Sequence, residues 1–221
     1  MSNPVRIPAH IDTLLLDLDG TLLDLAFDTH FWLEVVPEYY GRLRGLSAQE
    51  ALEQEIQPRL RSAEGTLNWY SLDYWSRALE LDLRVIKSEH DERIAWLPGA
   101  QDFLRRQRAA GRRLVLATNS ALETLQIKDR KVGIAPLLDA MFSSEQFGAP
   151  KEYAEFWLRL RNAVGYDPRR TAFIDDNPKV LDAARAAGIA LVIAVTDPDS
   201  SRPAREPPAG YEHVCAVSQI G

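Results

Sequence analysis

The sequence predicts an α/β protein in which a parallel sheet is flanked by helices and interrupted by a long helical insert. Short apolar runs of strand length alternate with helical patterns between residues 98 and 195. Such alternation favours parallel strands whose two faces are both covered by helices. An isolated apolar run, Leu14–Leu16, comes much earlier, and only helical periodicity separates it from the alternating part. We therefore expect one strand, then a helical insert, then a regular strand–helix core.

The insert, residues 25–97, shows helical spacing of its apolar residues and no convincing strand. Ser47 and Glu50 have the spacing of a capping box, which predicts the start of a helix. Thr66 is expected to cap a second helix. The apolar face of that helix is formed by Trp69, Leu72, Trp75 and Leu79.

After residues 98–99, a Pro-Gly pair, the pattern becomes regular. Strands are predicted at residues 114–117, 140–143, 171–174 and 189–195. Helices are predicted at residues 102–110, 121–131, 152–164 and 180–187. The proline-rich tail, residues 196–221, is expected to be mostly irregular, with one short apolar stretch at residues 214–217.

The composition limits the partners and the compartment. The chain has 221 residues, a formal net charge of −6 and no block of basic residues, so it is a poor candidate for binding nucleic acid. No apolar run approaches the length of a membrane span, and Met1–His10 lacks the apolar core of a signal peptide. The single cysteine, Cys215, excludes an internal disulfide. We expect a cytoplasmic protein, monomeric or homodimeric, with no membrane partner.

The most specific feature is a pair of aspartates at the end of the first strand. Asp17 and Asp19 follow the apolar run directly, and Gly20 and Thr21 come next. Residues i and i+2 of a strand point to the same side, so both carboxylates can reach one point. Two close carboxylates repel each other unless they share a cation or a proton. Mg²⁺ suits this position because it binds a few hard oxygens and keeps water and phosphate as its other ligands.

The segment Asp17–Thr21 resembles the first motif of the haloacid dehalogenase (HAD) superfamily, most members of which are Mg²⁺-dependent phosphatases. Three further motifs of that family occur in the family's order. Thr118-Asn119 follows a predicted strand, Lys151 precedes a predicted helix, and Asp175-Asp176 end another predicted strand. Four motifs in order are far more specific than any one of them.

The resemblance implies a division of the chain into a core and a cap. The catalytic core, with a HAD Rossmann-like fold, would consist of residues 1–24 and 98–221. Residues 25–97 would form an all-helical cap of the C1 type, inserted just after the first motif. That cap would close over the active site and supply contacts to the substrate, at the carboxyl ends of the core strands.

The later motifs carry the residue types that phosphoryl transfer needs. A transferring phosphoryl group has negative charge on its equatorial oxygens, so hydrogen-bond donors must surround it. The Thr118 hydroxyl and the Asn119 backbone N–H are suitable donors. Lys151 can neutralise both the phosphate and a nearby carboxylate. Glu152 departs from the wider family, in which many relatives carry proline at this position.

The resemblance also implies a role for each acidic motif residue. Asp17 would be the nucleophile that forms an aspartyl-phosphate. Asp19 would protonate the leaving alkoxide and later deprotonate the hydrolytic water. Mg²⁺ would be held by the Asp17 carboxylate, the Asp19 backbone carbonyl and Asp176. Asp175 would hold a metal-bound water or position Lys151.

The insert is rich in aromatic residues, whose flat side chains can stack on a nucleobase. It resembles a bacterial subgroup of GMP/IMP 5′-nucleotidases at residues 24–28, 31–32, 66–70 and 72–76. Glu152 fits this subgroup, although the resemblance weakens at residues 54–63 and in the tail. The resemblance to this subgroup implies that the substrate is a small phosphate ester, namely a purine nucleoside 5′-monophosphate.

Four polar residues of the insert are candidates for contact with that substrate. Asp28 could accept a hydrogen bond from a purine N–H edge, and Asn68 could contact a purine carbonyl. The other two candidates are His30 and Tyr70.

Three alternatives are weighed against this interpretation. A 2-haloacid dehalogenase generally lacks the second aspartate of the first motif, so Asp19 argues against it. A phosphomutase, or a phosphatase of another small ester such as a sugar phosphate, would keep the same motifs. A binding module without catalysis would be expected to have lost Asp17, Asp19 or Lys151, and all three are present.

Overall fold

A six-stranded parallel sheet forms the centre of the molecule, in the strand order β3-β2-β1-β4-β5-β6. The computed structural model describes residues 5–221, so expectations that fall on residues 1–4 lie outside the described residues. The strands are β1 (Thr13–Leu16), β2 (Arg113–Thr118), β3 (Ala140–Ser143), β4 (Thr171–Asp175), β5 (Leu191–Val195) and β6 (Glu212–Val214). The predicted α/β fold with a parallel sheet is thereby confirmed.

Alternating residues of β1 fill two separate apolar layers. Leu14 and Leu16 face one layer, together with residues of the insert, while Leu15 faces the other. All three side chains are fully buried. This two-sided burial explains why the strands are continuous apolar runs rather than alternating ones.

Helices outside the insert cover both faces of the sheet. They are α8 (Ala100–Ala109), α9 (Leu122–Val132), α10 (Ser144–Phe147), α11 (Ala154–Val164) and α12 (Pro178–Ala186), with α1–α7 belonging to the insert. Phe103 of α8 and Leu125 of α9 pack on the face shared with the insert. Phe156 of α11 and Leu181 of α12 pack on the opposite face. The predicted flanking of the sheet by helices is confirmed.

The stretch between β1 and β2 is helical, as predicted. Its α-helices are α1 (Ala26–His30), α2 (Val36–Arg44), α3 (Ala48–Glu50), α4 (Gln57–Ala63), α5 (Leu67–Tyr70), α6 (Leu72–Leu79) and α7 (Leu83–Glu89). The wider π-helical turns Phe31–Val35 and Ala51–Ile56 lie between them. A proline follows each of these turns, and its missing N–H and bulky ring disturb the preceding α-helical hydrogen bonds. Ser47 and Glu50 form the predicted capping box.

The two ends of the helical insert lie side by side. Asp24 N donates to Ala95 O at 2.9 Å, and Leu97 N donates to Leu22 O at 2.9 Å. The insert is therefore joined to the core by two chain segments that are hydrogen-bonded to each other, next to the end of β1.

Two local predictions are wrong. The Thr66 hydroxyl donates to Ala63 O at 2.7 Å and makes no capping bond. Ser71 interrupts the expected single helix and caps α6 by accepting a hydrogen bond from Tyr74 N at 3.2 Å. The tail is mostly irregular, as predicted, but β6 adds a short edge strand through pairing with β5 that the sequence did not predict. Among residues 5–221, none of the helices is both long and apolar enough to cross a membrane.

Candidate active site

The loop after β1 brings the first motif against the end of β4. Asp17 N donates to Ile174 O of β4 at 3.0 Å, so the first motif begins where the pairing of β1 with β4 ends. Gly20 has φ +84°, and a Cβ built on it would lie 2.8 Å from Asp176 Cγ and 2.8 Å from Pro198 Cβ. Glycine is therefore needed at position 20 both for the backbone conformation and for the close approach of Asp176.

A buried lysine lies between two buried carboxylates. Lys151 Nζ, on a side chain that is 2% exposed, donates to Asp17 Oδ1 and, at 2.7 Å, to Asp175 Oδ2. The second oxygen of Asp175 accepts from Asn177 N at 2.7 Å. Asp175 thus holds Lys151 in place, in agreement with one of the two roles that the resemblance implies for it.

The carboxylates around Lys151 have raised pKa values. Burial raises the pKa of Asp17 to about 7, the Lys151 charge opposes this, and the Asp175 charge adds to it. Burial likewise raises the pKa values of Asp175 and Asp176 to about 6, against the opposing charges of Lys151 and Arg205 respectively. Burial alone would lower the pKa of Lys151, but the neighbouring aspartates raise it above the ordinary value. An excess of buried negative charge therefore favours binding of a cation.

The carboxylates of Asp17, Asp175 and Asp176 have the chemistry of a magnesium site. One oxygen from each lies within 4.8 Å of the others. The donor set consists of hard oxygens, which Mg²⁺ prefers. The Asp19 side chain points elsewhere, into an ion pair with Lys128, so of this residue only the backbone carbonyl remains for a metal. The residues present fit Mg²⁺.

The tail reaches the same site, which the sequence did not predict. Arg205 Nη1 donates to Asp176 Oδ2 at 2.7 Å. Thr29 of α1 donates to Asp199 Oδ2 at 2.6 Å, and Ser200 N donates to Asp24 Oδ1 at 3.0 Å. The first part of the tail therefore packs against both the loop that carries Asp176 and the start of the insert.

The Thr118-Asn119 motif after β2 is held in the cavity wall by buried hydrogen bonds. Thr118 Oγ1 accepts from Ser120 N at 3.0 Å, and Asn119 Oδ1 accepts from Lys151 N at 2.9 Å. All three of Thr118, Asn119 and Ser120 are buried. The Ser120 hydroxyl also donates to Asp19 Oδ2 at 3.1 Å, which links this loop to the first motif.

Asp19 belongs to a second buried charge network, in which two lysines that sequence reasoning missed take part. Lys128 Nζ donates to Asp19 Oδ1 and to Asp28 Oδ2, both at 2.6 Å. Lys87 Nζ donates to Asp28 Oδ1 at 2.7 Å. The sequence does carry a signal for the burial of Lys128, because this residue follows Thr124 and Leu125 at helical spacing on the buried face of α9.

A third set of contacts joins the insert to the loops of the second and third motifs. The Tyr70 hydroxyl donates to Glu152 Oε1 at 2.9 Å, and Asn119 Nδ2 donates to Glu152 Oε2 at 3.0 Å. Burial, and then the charge of Glu152, raise the pKa of Tyr70 above its ordinary value. Glu152, the residue that departs from the wider family, therefore connects Tyr70 to the site.

The residues of all four motifs line one cavity of about 560 Å³ between the insert and the carboxyl ends of the strands. That size lies within the range of roughly 300–1,000 Å³ of small-molecule sites. The core contributes polar walls that include Asp17, Thr118 and Lys151. The insert contributes a largely apolar wall that includes Trp32 and Trp69.

The four candidate substrate residues fall into two groups. Asp28 and Tyr70 line the cavity, although both oxygens of Asp28 are engaged by Lys87 and Lys128. His30 and Asn68 are not among the described residues that line it. His30 Nδ1 lies 3.1 Å from Glu34 Oε2, and Asn68 is exposed. The structure therefore brings two of the four to the cavity.

Comparison with known families agrees with this geometry. The family model of haloacid dehalogenase-like hydrolases matches residues 11–188. This chain belongs to the haloacid dehalogenase-like hydrolase family. The match spans all four motifs as well as the helical insert between the first two.

Individual relatives of this haloacid dehalogenase-like hydrolase fall at two levels of similarity. The GMP/IMP nucleotidase YrfG of Escherichia coli strain K12 is 42% identical over 190 residues, covering 86% of this chain and 85% of the relative. The HAD phosphatase of Thermococcus onnurineus shares the fold with a TM-score of 0.77 and 18% identity, covering 94% of each chain. CbbY of Rhodobacter sphaeroides, solved in complex with phosphate, has a TM-score of 0.65 and 19% identity, with 94% of this chain and 95% of that chain covered.

Proposed function

We propose that this hydrolase is a Mg²⁺-dependent phosphatase that converts the purine nucleoside 5′-monophosphates GMP and IMP to nucleoside and phosphate. The observation that carries the proposal is a single cavity with two unlike walls. The buried Asp17–Lys151 pair lies on one wall, and Trp32 and Trp69 lie on the other. The name of the 42% identical relative from Escherichia coli supports the same substrate class.

In the first chemical step, an oxygen of Asp17 attacks phosphorus. A P–O bond to Asp17 forms while the P–O bond to the nucleoside 5′-oxygen breaks, and Asp19 gives its proton to that departing oxygen. The Thr118 hydroxyl, the Asn119 N–H and Lys151 hold the phosphoryl oxygens and balance their charge. The product is an aspartyl-phosphate on Asp17 and a free nucleoside.

In the second step, water attacks the phosphorus of the aspartyl-phosphate. Asp19, now ionised, takes a proton from that water, and the bond between phosphorus and Asp17 breaks. Phosphate leaves and Asp17 returns to its carboxylate form. Asp19 ends the cycle protonated, ready to donate to the next substrate.

Mg²⁺ would be held by Asp17, the Asp19 backbone carbonyl and Asp176, with Asp175 next to them. When bound, it offsets the repulsion between the anionic nucleophile and the anionic phosphate. The buried carboxylates with raised pKa values support this assignment, because each of them favours a bound cation or proton.

The helical insert would act as the cap over this site. We place its limits at residues 25–97, with the catalytic core at residues 1–24 and 98–221. The paired backbone segments at Asp24 and Ala95 support those limits, because the chain enters and leaves the insert side by side there. The insert contributes the apolar wall of the cavity and therefore the contacts with the nucleoside.

The test is phosphate release from purine and pyrimidine 5′-monophosphates and from sugar phosphates, each with Mg²⁺ and with EDTA. We expect Mg²⁺-dependent release that is fastest from GMP and IMP. Equal release from sugar phosphates would keep the catalytic assignment and overturn the nucleotide assignment. No release from any ester, in a protein that binds Mg²⁺ and nucleotide, would favour a binding module instead.

A further inference from the structure

We propose that Lys128 is a positioning residue, which fixes the proton-transferring carboxylate of Asp19 and ties it to the insert through Asp28 and Lys87. The role rests on the proposed function, because it concerns the leaving-group proton of that reaction. None of these contacts follows from the four sequence motifs.

The geometry gives Lys128 this role rather than a role in substrate binding. Its side chain is 1% exposed, and Nζ lies 2.6 Å from both Asp19 Oδ1 and Asp28 Oδ2. Asp19, Asp28 and Lys87 line the cavity, but Lys128 is not among the described residues that do. Lys128 therefore acts on the substrate only through Asp19 and Asp28, the two cavity-lining carboxylates that it contacts.

Charge balance explains why the network can be buried. The two lysines face two aspartates, and each shared oxygen has a donor within hydrogen-bond distance. A buried charge without a partner is strongly unfavourable, so these groups constrain each other's positions. Without Lys128, the Ser120 hydroxyl at 3.1 Å would be the remaining side-chain donor to Asp19 among the described contacts.

The network also joins elements that are far apart in the sequence. Asp28 lies on α1 at the start of the insert, and Lys87 lies on α7 near its end. Lys128 lies on α9 of the core, directly after the loop that carries Thr118 and Asn119. The position of Asp19 is therefore set by both ends of the insert and by the core at once.

The test compares two leaving groups in Lys128→Met. An alkyl 5′-phosphate such as GMP needs a proton on its leaving oxygen, whereas p-nitrophenyl phosphate releases a stable anion and needs little help. We measure kcat/KM, which covers the steps up to release of the first product and excludes later hydrolysis of the aspartyl-phosphate. For GMP we expect a loss on the order of 10²-fold, and for p-nitrophenyl phosphate a loss of no more than about threefold.

The matched control is Lys131→Met. Lys131 lies on the same helix and also bridges core and insert, since its Nζ lies 2.7 Å from Asp91 Oδ1, but the pair is partly exposed. Its substitution should leave both kcat/KM values near those of the wild type. A similar discrimination between the two substrates in this control would overturn the specific role of Lys128.

A second variant keeps the test valid if Lys128→Met folds poorly. Lys128→Met combined with Asp28→Asn removes one charge of each sign, so the buried network stays balanced and Asp19 still lacks its lysine. Because Asp28 lines the cavity itself, Asp28→Asn alone is the reference, and the further loss caused by Lys128→Met is expected to show the same discrimination between substrates. Equal losses on both substrates, or no loss, in an active wild-type background would overturn the role of Lys128 alone. A wild-type protein inactive on every ester would overturn the proposed function itself, and this role with it.

Discussion

Tyr70 of the insert donates a hydrogen bond of 2.9 Å to Glu152, the residue next to Lys151 in the sequence. The same carboxylate accepts from Asn119 Nδ2 at 3.0 Å, while Asn119 Oδ1 accepts from Lys151 N. One chain of hydrogen bonds therefore connects the insert with the loops that carry the second and third motifs. A proline at position 152 would lack the carboxylate on which this connection depends.

The first prediction concerns this connection. Tyr70→Phe removes one hydroxyl and leaves the ring, so we expect KM for GMP to rise roughly threefold to tenfold, as for a net hydrogen bond of about 1 kcal/mol. Glu152→Gln should have a similar effect. The two changes together should be less than additive, because Tyr70→Phe removes one donor to the carboxylate, and the amide of Glu152→Gln has a single acceptor oxygen for two donors. Steady-state kinetics on the wild type, the two single variants and the double variant measures this coupling.

Tyr74→Phe is the control for the tyrosine substitution. Tyr74 lies on the neighbouring helix α6, and its ring packs against Trp75 with centroids 4.9 Å apart. Loss of that hydroxyl should leave KM unchanged. Fully additive effects of Tyr70→Phe and Glu152→Gln would show that the two residues act independently.

The sheet and the acidic motif residues could be predicted from the sequence because local patterns specify them. Runs such as Leu14–Leu16 are buried on both faces of the sheet, which leaves an unbroken apolar signal. Asp17 and Asp19 come directly after such a run, which brings both to the carboxyl end of the sheet. The strand ends at Leu16, however, and the two carboxylates pair with different lysines instead of meeting at one point as the i and i+2 spacing predicted. The pairing of these carboxylates with particular lysines is not a local property.

The missed features all depend on contacts between distant parts of the chain. Lys128 and Asp19 are 109 positions apart, and Arg205 and Asp176 are 29 apart. The helical spacing of Lys128 indicates the buried face of α9, but it does not identify the carboxylates that neutralise a lysine there, and a lysine on a helix is usually solvated. The strand β6 was missed for the same reason, since three residues gain their structure from pairing with β5.

The second prediction is that Asp17→Asn abolishes turnover and leaves the fold intact. Asparagine has no carboxylate to attack phosphorus, so activity should fall below about one percent of the wild-type value. Folding should survive, because burial raises the pKa of Asp17 to about 7 and so already disfavours its charged form. Phosphate release and circular dichroism test the two parts. Activity well above that level would remove Asp17 from the nucleophile role.

The third prediction concerns pH and stability without metal. Burial, more than any other cause, raises the pKa values of Asp17, Asp175 and Asp176 to between about 6 and about 7, against a model-peptide value of 3.8. Between pH 4 and 7 the folded state therefore binds more protons at these groups than the unfolded state does. The stabilisation that comes from these bound protons is present at low pH. It is lost as the pH rises through the pKa values that the three aspartates have in the folded state.

In EDTA we expect the melting temperature to be lower at pH 7.5 than at pH 5 by at least about 2 °C, which is the shift for about 1 kcal/mol in a protein of this size. Mg²⁺ should reduce the difference, because it binds the ionised carboxylates of the folded state. Asp17→Asn serves as the control and should show a smaller pH dependence in EDTA. An identical pH dependence in that variant would exclude Asp17 as a source of the effect.

The last prediction distinguishes the contributions of two neighbouring insert residues, Trp69 and Asn68, to GMP binding. Trp69 lines the cavity, whereas Asn68 is exposed and is not among the described residues that line it. Stacking of a base on an aromatic side chain contributes about 1–3 kcal/mol, so Trp69→Phe should be mild while Trp69→Ala raises KM for GMP roughly 5- to 150-fold. The effect on a small ester without a base should be much weaker. Asn68→Ala is the matched control, and we expect it to leave KM for both substrates unchanged. If instead Asn68→Ala selectively weakens GMP binding and Trp69→Ala does not, the base is recognised through the amide and the insert must adopt another position around bound substrate.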